Sequence, residues 1–203
     1  VTTLLARWWD SDLAWSFRAS PVAIVAAIVA FVCVSGALFA PWLAPHDPFD
    51  LASLELLDAL TPPAWVEGGK ASFPLGTDDQ GRDVLSAILY GSRISLAVGV
   101  ASVLLSMVVG VALGLLSGYM GGVLDAFVMR VADVQLSFPA ILIALLVDGV
   151  ARVALPDAAH GDTAFWVIVV SIGLSGWVQY ARTVRGSTLV EARKEYVQAA
   201  RLI

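Results

Sequence analysis

The sequence predicts an all-α integral membrane protein with about four transmembrane helices and a cytoplasmic N-terminus, and three observations predict it. First, 59% of its 203 residues are hydrophobic and only 14% are charged, with a mean hydropathy of +0.83. A soluble domain is about half apolar and about a quarter charged. One buried core does not absorb that apolar excess, whereas a bilayer does. Second, the apolar residues are gathered in long runs: 19–45, 94–124 and 163–181 carry no charge. Third, Lys and Arg concentrate on one side of those runs.

A helical span needs roughly 20 mostly apolar residues. The first run predicts a helix over Val22–Leu43, the second over Ile94–Leu116 and the last over Ala164–Tyr180. A further span, Leu124–Val147, carries Arg130 and Asp133. A charge at the bilayer centre costs roughly 2.5–3.5 kcal/mol. These two lie near one end, three residues apart on one helical face, where they are expected to pair with each other. Pro139 is expected to bend this span, because it removes a helical hydrogen bond. The first apolar region is longer than the ~7–15 residues of a signal peptide and follows Asp10 and Asp12. It reads as an uncleaved anchor.

Orientation follows the basic residues. With four spans, one side holds Arg7, Arg18, Arg130, Arg182, Arg185, Arg193, Lys194 and Arg201, and the other only Lys70, Arg82, Arg93 and Arg152. That second side also carries Asp47, Asp50, Glu55, Asp58, Glu67, Asp78, Asp79, Asp83, Asp148, Asp157 and Asp162. The first side is therefore cytoplasmic. The expected division is a cytoplasmic segment 1–21, an anchor 22–43, an extracytoplasmic segment 44–93 and a helical membrane body 94–203. The outer segment is too polar to span and too long for a simple turn, and loops of that length are usually functional. Its acidic surface is either a docking surface or a solvated cap.

Several chemistries are excluded. Gly68-Gly69-Lys70-Ala71 lacks the upstream glycine and the hydroxyl residue of a phosphate loop, so no nucleotide chemistry or cofactor is expected. Gly76-Thr77-Asp78-Asp79-Gln80-Gly81-Arg82-Asp83 glances at a calcium loop, but aligned on Gly81 the key carboxylates at both ends are missing. The lone Cys33 and the two histidines, His46 and His160, make a metal site improbable. Nothing points to nucleic acid. Gly173-Leu174-Ser175-Gly176 resembles the nucleophile motif of rhomboid-type intramembrane proteases. Such a serine needs a base within reach. That family takes its base from a later histidine, and none follows Ser175. Gly110, Gly114 and Gly118 form a repeated G-x-x-x-G face suited to close helix packing. Arg130, Asp133, Gln135, Ser175 and Gln179 are candidates for a polar path, since intramembrane polar groups face protein or water.

From Ser187 onward the tail is rich in helix formers, with apolar positions at Tyr196, Val197, Ala200 and Ile203. It predicts an amphipathic cytoplasmic helix that docks in a groove of another protein. Glu195-Tyr196-Val197-Gln198-Ala199-Ala200-Arg201-Leu202-Ile203 resembles the start of the E-A-A-x-x-x-G coupling motif of ABC importer permeases. Pro74-Leu75-Gly76-Thr77-Asp78-Asp79-Gln80-Gly81-Arg82-Asp83 is similar to the "C-type" permease of the dipeptide/oligopeptide/nickel branch. Gly118-Tyr119-Met120-Gly121-Gly122-Val123-Leu124-Asp125 and Tyr180-Ala181-Arg182-Thr183-Val184-Arg185-Gly186 resemble the same branch. Gln198 stands where the general motif has glutamate. The motif's glycine would be residue 204, so the resemblance implies a permease truncated within the coupling motif, the family having six spans. Val1 in place of methionine raises the same question at the other end.

The resemblance implies a type I ABC importer transmembrane domain in the plasma (inner) membrane of a prokaryote. It implies a transport subunit for di- or oligopeptides, or alternatively nickel or another small solute, rather than an enzyme. Expected partners are a second permease subunit, cytoplasmic ATP-binding subunits that hydrolyse ATP, an extracytoplasmic substrate-binding protein and the lipid bilayer. Coupling to the ATPase would fall to Glu191, Glu195, Tyr196, Gln198, Ala199, Ala200 and Arg201. The family motif on the outer side comprises Gly76, Thr77, Asp78, Gly81, Arg82 and Asp83.

Overall fold

A computed structural model of the protein describes residues 12–50, 56–154 and 160–202. Arg7, Asp10, Glu55 and Asp157, used in the charge reading above, lie outside the described residues. So do the side chains of Gln198, Ala200 and Arg201. Regular structure among the described residues is helical, apart from an isolated bridge between Thr77 and Asp83. The chain divides into two compact units, Val1–Leu96 and Ala97–Ile203.

In the first unit, α1 (Asp12–Ala19) runs into the anchor helix α2 (Pro21–Leu38). Ser20 separates them: its backbone is extended, and its hydroxyl accepts from Ala23 N–H at 3.3 Å. Pro21 occupies the first helical position, where its missing N–H costs nothing. Ala37 is the one buried residue of α2. A helix apolar all round and almost unburied by its own chain has lipid as its packing partner. The expected span to Leu43 is interrupted at Phe39. Pro41 starts a separate turn, α3 (Ala40–Leu43), because a proline cannot continue the helical ladder.

The stretch that follows folds back on the start of the long helix α4 (Val84–Met120). His46 N–H donates to Ser86 Oγ at 3.1 Å. The His46 ring lies on Phe73 at 5.1 Å, and Phe49 meets Tyr90 edge-on at 5.9 Å. Paired backbone bonds, Thr77 N–H to Thr61 O and Leu60 N–H to Asp78 O, close residues 58–83 into a folded cap. α4 has 37 residues, about 55 Å at 1.5 Å per residue. That is longer than the expected Ile94–Leu116 and longer than the roughly 30 Å hydrocarbon layer.

In the second unit, the third expected span is two helices: α5 (Gly122–Leu136) and α6 (Ala140–Ala154), meeting at 96°. This is a corner rather than the gentle bend expected from Pro139. Pro139 offers no N–H, and its ring drives Phe138 out of the helical region. The last turn of α5 tightens instead, with Ser137 N–H to Val134 O and Phe138 N–H to Gln135 O. The final long helix, α7 (His160–Glu191), extends well past Tyr180 and absorbs the first part of the expected tail helix. A turn at Ala192–Lys194 then begins α8 (Glu195–Leu202). Three helices are long and apolar enough to cross a membrane, or four if α5 and α6 together make one span.

α4 and α7 pack in parallel at close range. A Cβ at Gly110 would lie 2.5 Å from Trp177 O, one at Gly114 2.6 Å from Ala181 O, and one at Gly118 3.0 Å from Arg185 O. Each pair is separated by the same interval as Ser106 and Gly173, 67 residues, whose hydroxyl–carbonyl bond is 2.8 Å long. A constant offset with ascending numbers means parallel axes, so the chain between them must return once. The G-x-x-x-G face therefore serves this internal packing. Val128 and Ala132 of α5 close the core with Trp177, Val178 and Ala181 of α7.

Candidate coupling site and its polar supports

α7 is the hub of the second unit. One face takes the small residues of α4, and the neighbouring face takes α5 in antiparallel sense through polar contacts of three α5 residues, Asp125, Asp133 and Gln135. Trp177 Nε1–H donates to Gln135 Oε1 at 2.7 Å, while Gln135 Nε2–H donates to Leu174 O at 2.5 Å. Arg182 Nη2 reaches Asp133 Oδ1 at 2.5 Å. Arg185 grips Asp125 with both nitrogens, Nε to Oδ1 at 2.5 Å and Nη2 to Oδ2 at 2.6 Å. Ser117 Oγ–H donates to the same carboxylate from α4. The Asp125–Arg185 pair, 19% and 32% exposed, thus joins three helices at one point. A bidentate, charge-assisted pair is the strong form of this interaction.

Below that junction lies the elbow to α8. Ala192 N–H still bonds Thr188 O at 2.9 Å, but Arg193 N–H and Lys194 N–H shift to three-residue bonds, and Val197 N–H resumes on Lys194 O at 3.0 Å. The Glu191 carboxylate spans the bend. Lys194 Nζ donates to one oxygen at 2.6 Å and Tyr196 OH to the other at 3.0 Å. These bonds hold the Lys194 ammonium and the Tyr196 phenol above their ordinary values. Glu195, Tyr196 and Ala199 are exposed on α8.

Asp133 and Gln135 face α7, as described. The expected Arg130–Asp133 pair does not form. Asp133 turns to Arg182, a partner across the helix interface, and Arg130 stays exposed with no hydrogen bond or ion pair among the described residues. Gln179 is exposed. Ser175 Oγ–H bonds Ser171 O at 2.8 Å, the usual back-bond of a helical serine. Gly173 and Gly176 are packed by Leu105 and Ser106. This motif is therefore a packing surface, and among the described residues Ser175 has no hydrogen bond to a base.

In the segment expected to lie on the outer side, the six motif residues build one turn. Gly76 and Gly81 take φ of +80° and +79°, which favours glycine. Thr77 Oγ1 accepts from Thr61 N–H at 2.9 Å and donates to Asp58 O. Asp78 accepts from Gln80 N–H and Arg82 N–H, both at 2.9 Å, and from Arg82 Nε at 2.7 Å. Burial pulls the Asp78 carboxyl upward, and those bonds outweigh it, so its pKa lies below the ordinary value. Asp83 is 2% exposed and caps α4, accepting from Ser86 N–H at 2.9 Å and from the Ser86 hydroxyl. Two members of the expected acidic surface are taken up within the fold: Asp78 pairs with Arg82, and Asp83 is inside. Asp79 remains exposed.

Sequence reasoning missed Ser117, Asp125, Trp177, Arg182 and Arg185 as members of this network. The available signal was charge of opposite sign near the same end of two successive spans.

Comparison with known proteins agrees with this architecture. Residues 110–203 match the family described as binding-protein-dependent transport system inner membrane component. Residues 8–63 match the N-terminal transmembrane domain of oligopeptide transport permease C. The di/tripeptide transport system permease of Pseudomonas aeruginosa is 38% identical over 98% of this chain and 59% of its own length. The dipeptide permease of Haemophilus influenzae is 37% identical over 92% of this chain and 59% of its own length. The oligopeptide permease of Bacillus subtilis is 33% identical over 98% and 58%. The chain thus spans about three-fifths of the curated relatives it matches. With three or four apolar helices to carry them, the chain holds two family matches in order, the N-terminal transmembrane domain of oligopeptide transport permease C over 8–63 and the binding-protein-dependent transport system inner membrane component over 110–203.

Proposed function

We propose that the chain is the membrane-spanning permease subunit of an ATP-driven importer of di- and oligopeptides, forming part of the translocation path and coupling to separate ATPase subunits. The peptide cargo rests on the names of its relatives, which are di/tripeptide, dipeptide and oligopeptide permeases. The observation that carries the coupling role is the α7–α8 elbow. A helix with exposed Glu195, Tyr196 and Ala199 is set off from α7, which is braced on two sides by α4 and α5. A push on α8 is then delivered to the spans. Glu191, Glu195, Tyr196, Gln198, Ala199, Ala200 and Arg201 are the proposed contact region for the ATPase. A second permease subunit completes the path, and a substrate-binding protein delivers cargo to the outer face. In this reading the N-terminus, the α4–α5 turn and α8 are cytoplasmic, and the 58–83 cap is outside.

Ala199→Arg places charge and bulk on the exposed α8 surface and is expected to abolish co-purification with the ATP-binding subunits while leaving membrane insertion intact. Full recovery of the ATPase with this variant sinks the coupling assignment. Growth on a dipeptide as sole amino-acid source, set against nickel-dependent urease activity, separates the cargo classes. Asp79→Lys tests the outer face cleanly, because Asp79 supports none of the turn's bonds. Unchanged transport removes Asp79 from docking.

A further inference from the structure

The groove between α5 and α7 carries more polar groups than packing consumes. At 100° per residue, Ala126, Arg130, Asp133 and Ser137 share one face of α5, and Ser175, Gln179, Arg182 and Gly186 share one face of α7. The Asp133–Arg182 bond places both faces on the same side of the helix pair. These side chains are not sealed between the helices. Asp133 and Arg182 keep 55% and 46% of their side-chain surface exposed, and Arg130, Ser137 and Gln179 are exposed as well.

Hydrocarbon cannot solvate such a strip, so it faces water or protein. Its charges are also unbalanced: two guanidinium groups stand beside one carboxylate. Asp133 is engaged by Arg182, which leaves Arg130 unpaired among the described residues. An unpaired guanidinium near the cytoplasmic end of a membrane span, at the head of such a strip, calls for an anion. An anionic lipid headgroup would satisfy Arg130 alone and make no use of Asp133, Ser137 and Gln179. A zwitterionic solute moving through water along the strip meets all of them.

We propose that this face lines the translocation path and that Arg130 is a subsite for the C-terminal carboxylate of a peptide in transit. The inference rests on the peptide-import reading above and adds the chemical group that is recognised and the residue that recognises it. The Asp133–Arg182 pair lies beside it as the neighbouring polar station. Arg130 offers a planar fork that matches a carboxylate.

The test uses the complete importer, reconstituted in vesicles of phosphatidylcholine alone, with labelled alanyl-alanine as cargo. Arg130→Gln is expected to lower uptake by about tenfold or more, the worth of one charge-assisted contact, and Arg130→Lys to retain most of it. In parallel, thermal unfolding of the purified permease pair without binding protein is followed with millimolar alanyl-alanine or its C-terminal amide. The free acid is expected to raise the melting temperature of the wild type, the amide is not, and Arg130→Gln is expected to remove the shift. Unchanged uptake by Arg130→Gln, or an equal shift with the amide, overturns the subsite. An effect of Arg130→Gln that appears only when anionic lipid is added assigns the residue to lipid and overturns it too. Absence of dipeptide uptake by the wild type overturns the import reading itself, a result distinct from any effect of Arg130.

Discussion

Asp78 and Asp83 show how two carboxylates five residues apart acquire opposite lives. Asp83 gives up solvent to cap α4, and Asp78 stays at the surface to tie down Gln80 and Arg82. Because the Asp78 pKa is lowered from 3.8, its ionised form contributes stability that is fully present above that value. The contribution is lost as pH falls through the folded-state pKa below it. Protection factors at the Gln80 and Arg82 amides are therefore expected to fall as pH drops below about 4, and Asp78→Asn to erase that pH dependence. A second residue-scale expectation concerns Gly114. A valine there drives its Cβ against Ala181 O and Val184 Cβ, at a cost of about 1–3 kcal/mol. Thermal unfolding in detergent reads it as a lower melting temperature, and Gly99, with open space at its Cβ position, is the control. Sequence reading marked these glycines as packing residues from their spacing. It could not name α7 as the partner, because a small-residue face is equally suited to any close helix.

Among the elements, α7 depends on α5 most where Arg185 meets Asp125. Asp125→Ala leaves the partly buried guanidinium without its carboxylate partner, and is expected to cost about 2 kcal/mol, between the values for exposed and fully buried pairs. Asp125→Asn, which keeps one acceptor oxygen for Arg185, should cost less in the same unfolding measurement. The elbow makes a different prediction. Glu191→Ala removes the acceptor of both Lys194 and Tyr196, so the α7–α8 angle should broaden. Distances between spin labels at Thr183 and Ala199 would show a wider distribution, and an unchanged one would mean that the backbone bonds alone set the angle. The elbow itself was illegible in the sequence: Ser187–Arg201 has no glycine or proline, and continuous helix was the natural expectation. The α5–α6 corner was half legible. Pro139 announced an interruption, but its size depends on how far α6 finds packing on α7, which is a tertiary quantity. The Arg130–Asp133 pairing failed for a related reason: a contact within one helix was visible in the sequence, while the competing Arg182 was distant in it.

Over the whole molecule, the apolar helices were the most legible feature, since a run of uncharged residues long enough to cross a bilayer leaves few alternatives. The parallel arrangement of α4 and α7 adds what composition lacked, because it requires a single return between them. The proposed orientation then makes a labelling prediction. In a Cys33→Ser background, Asp79→Cys should react with a membrane-impermeant maleimide from outside intact cells, and Lys194→Cys only after permeabilisation. The reverse pattern would invert the topology and detach α8 from any cytoplasmic ATPase.

The comb of small residues along α4 has a mechanical consequence. Its teeth recur every four residues and seat against the α7 backbone at one fixed offset, so the two helices are keyed like a shaft in its hub. Neither screws nor slides past the other unless every tooth lifts at once. Force arriving through the elbow cannot be dissipated as slip between them. It leaves as tilt of the keyed pair, which is the kind of displacement that opens one mouth of a passage while closing the other.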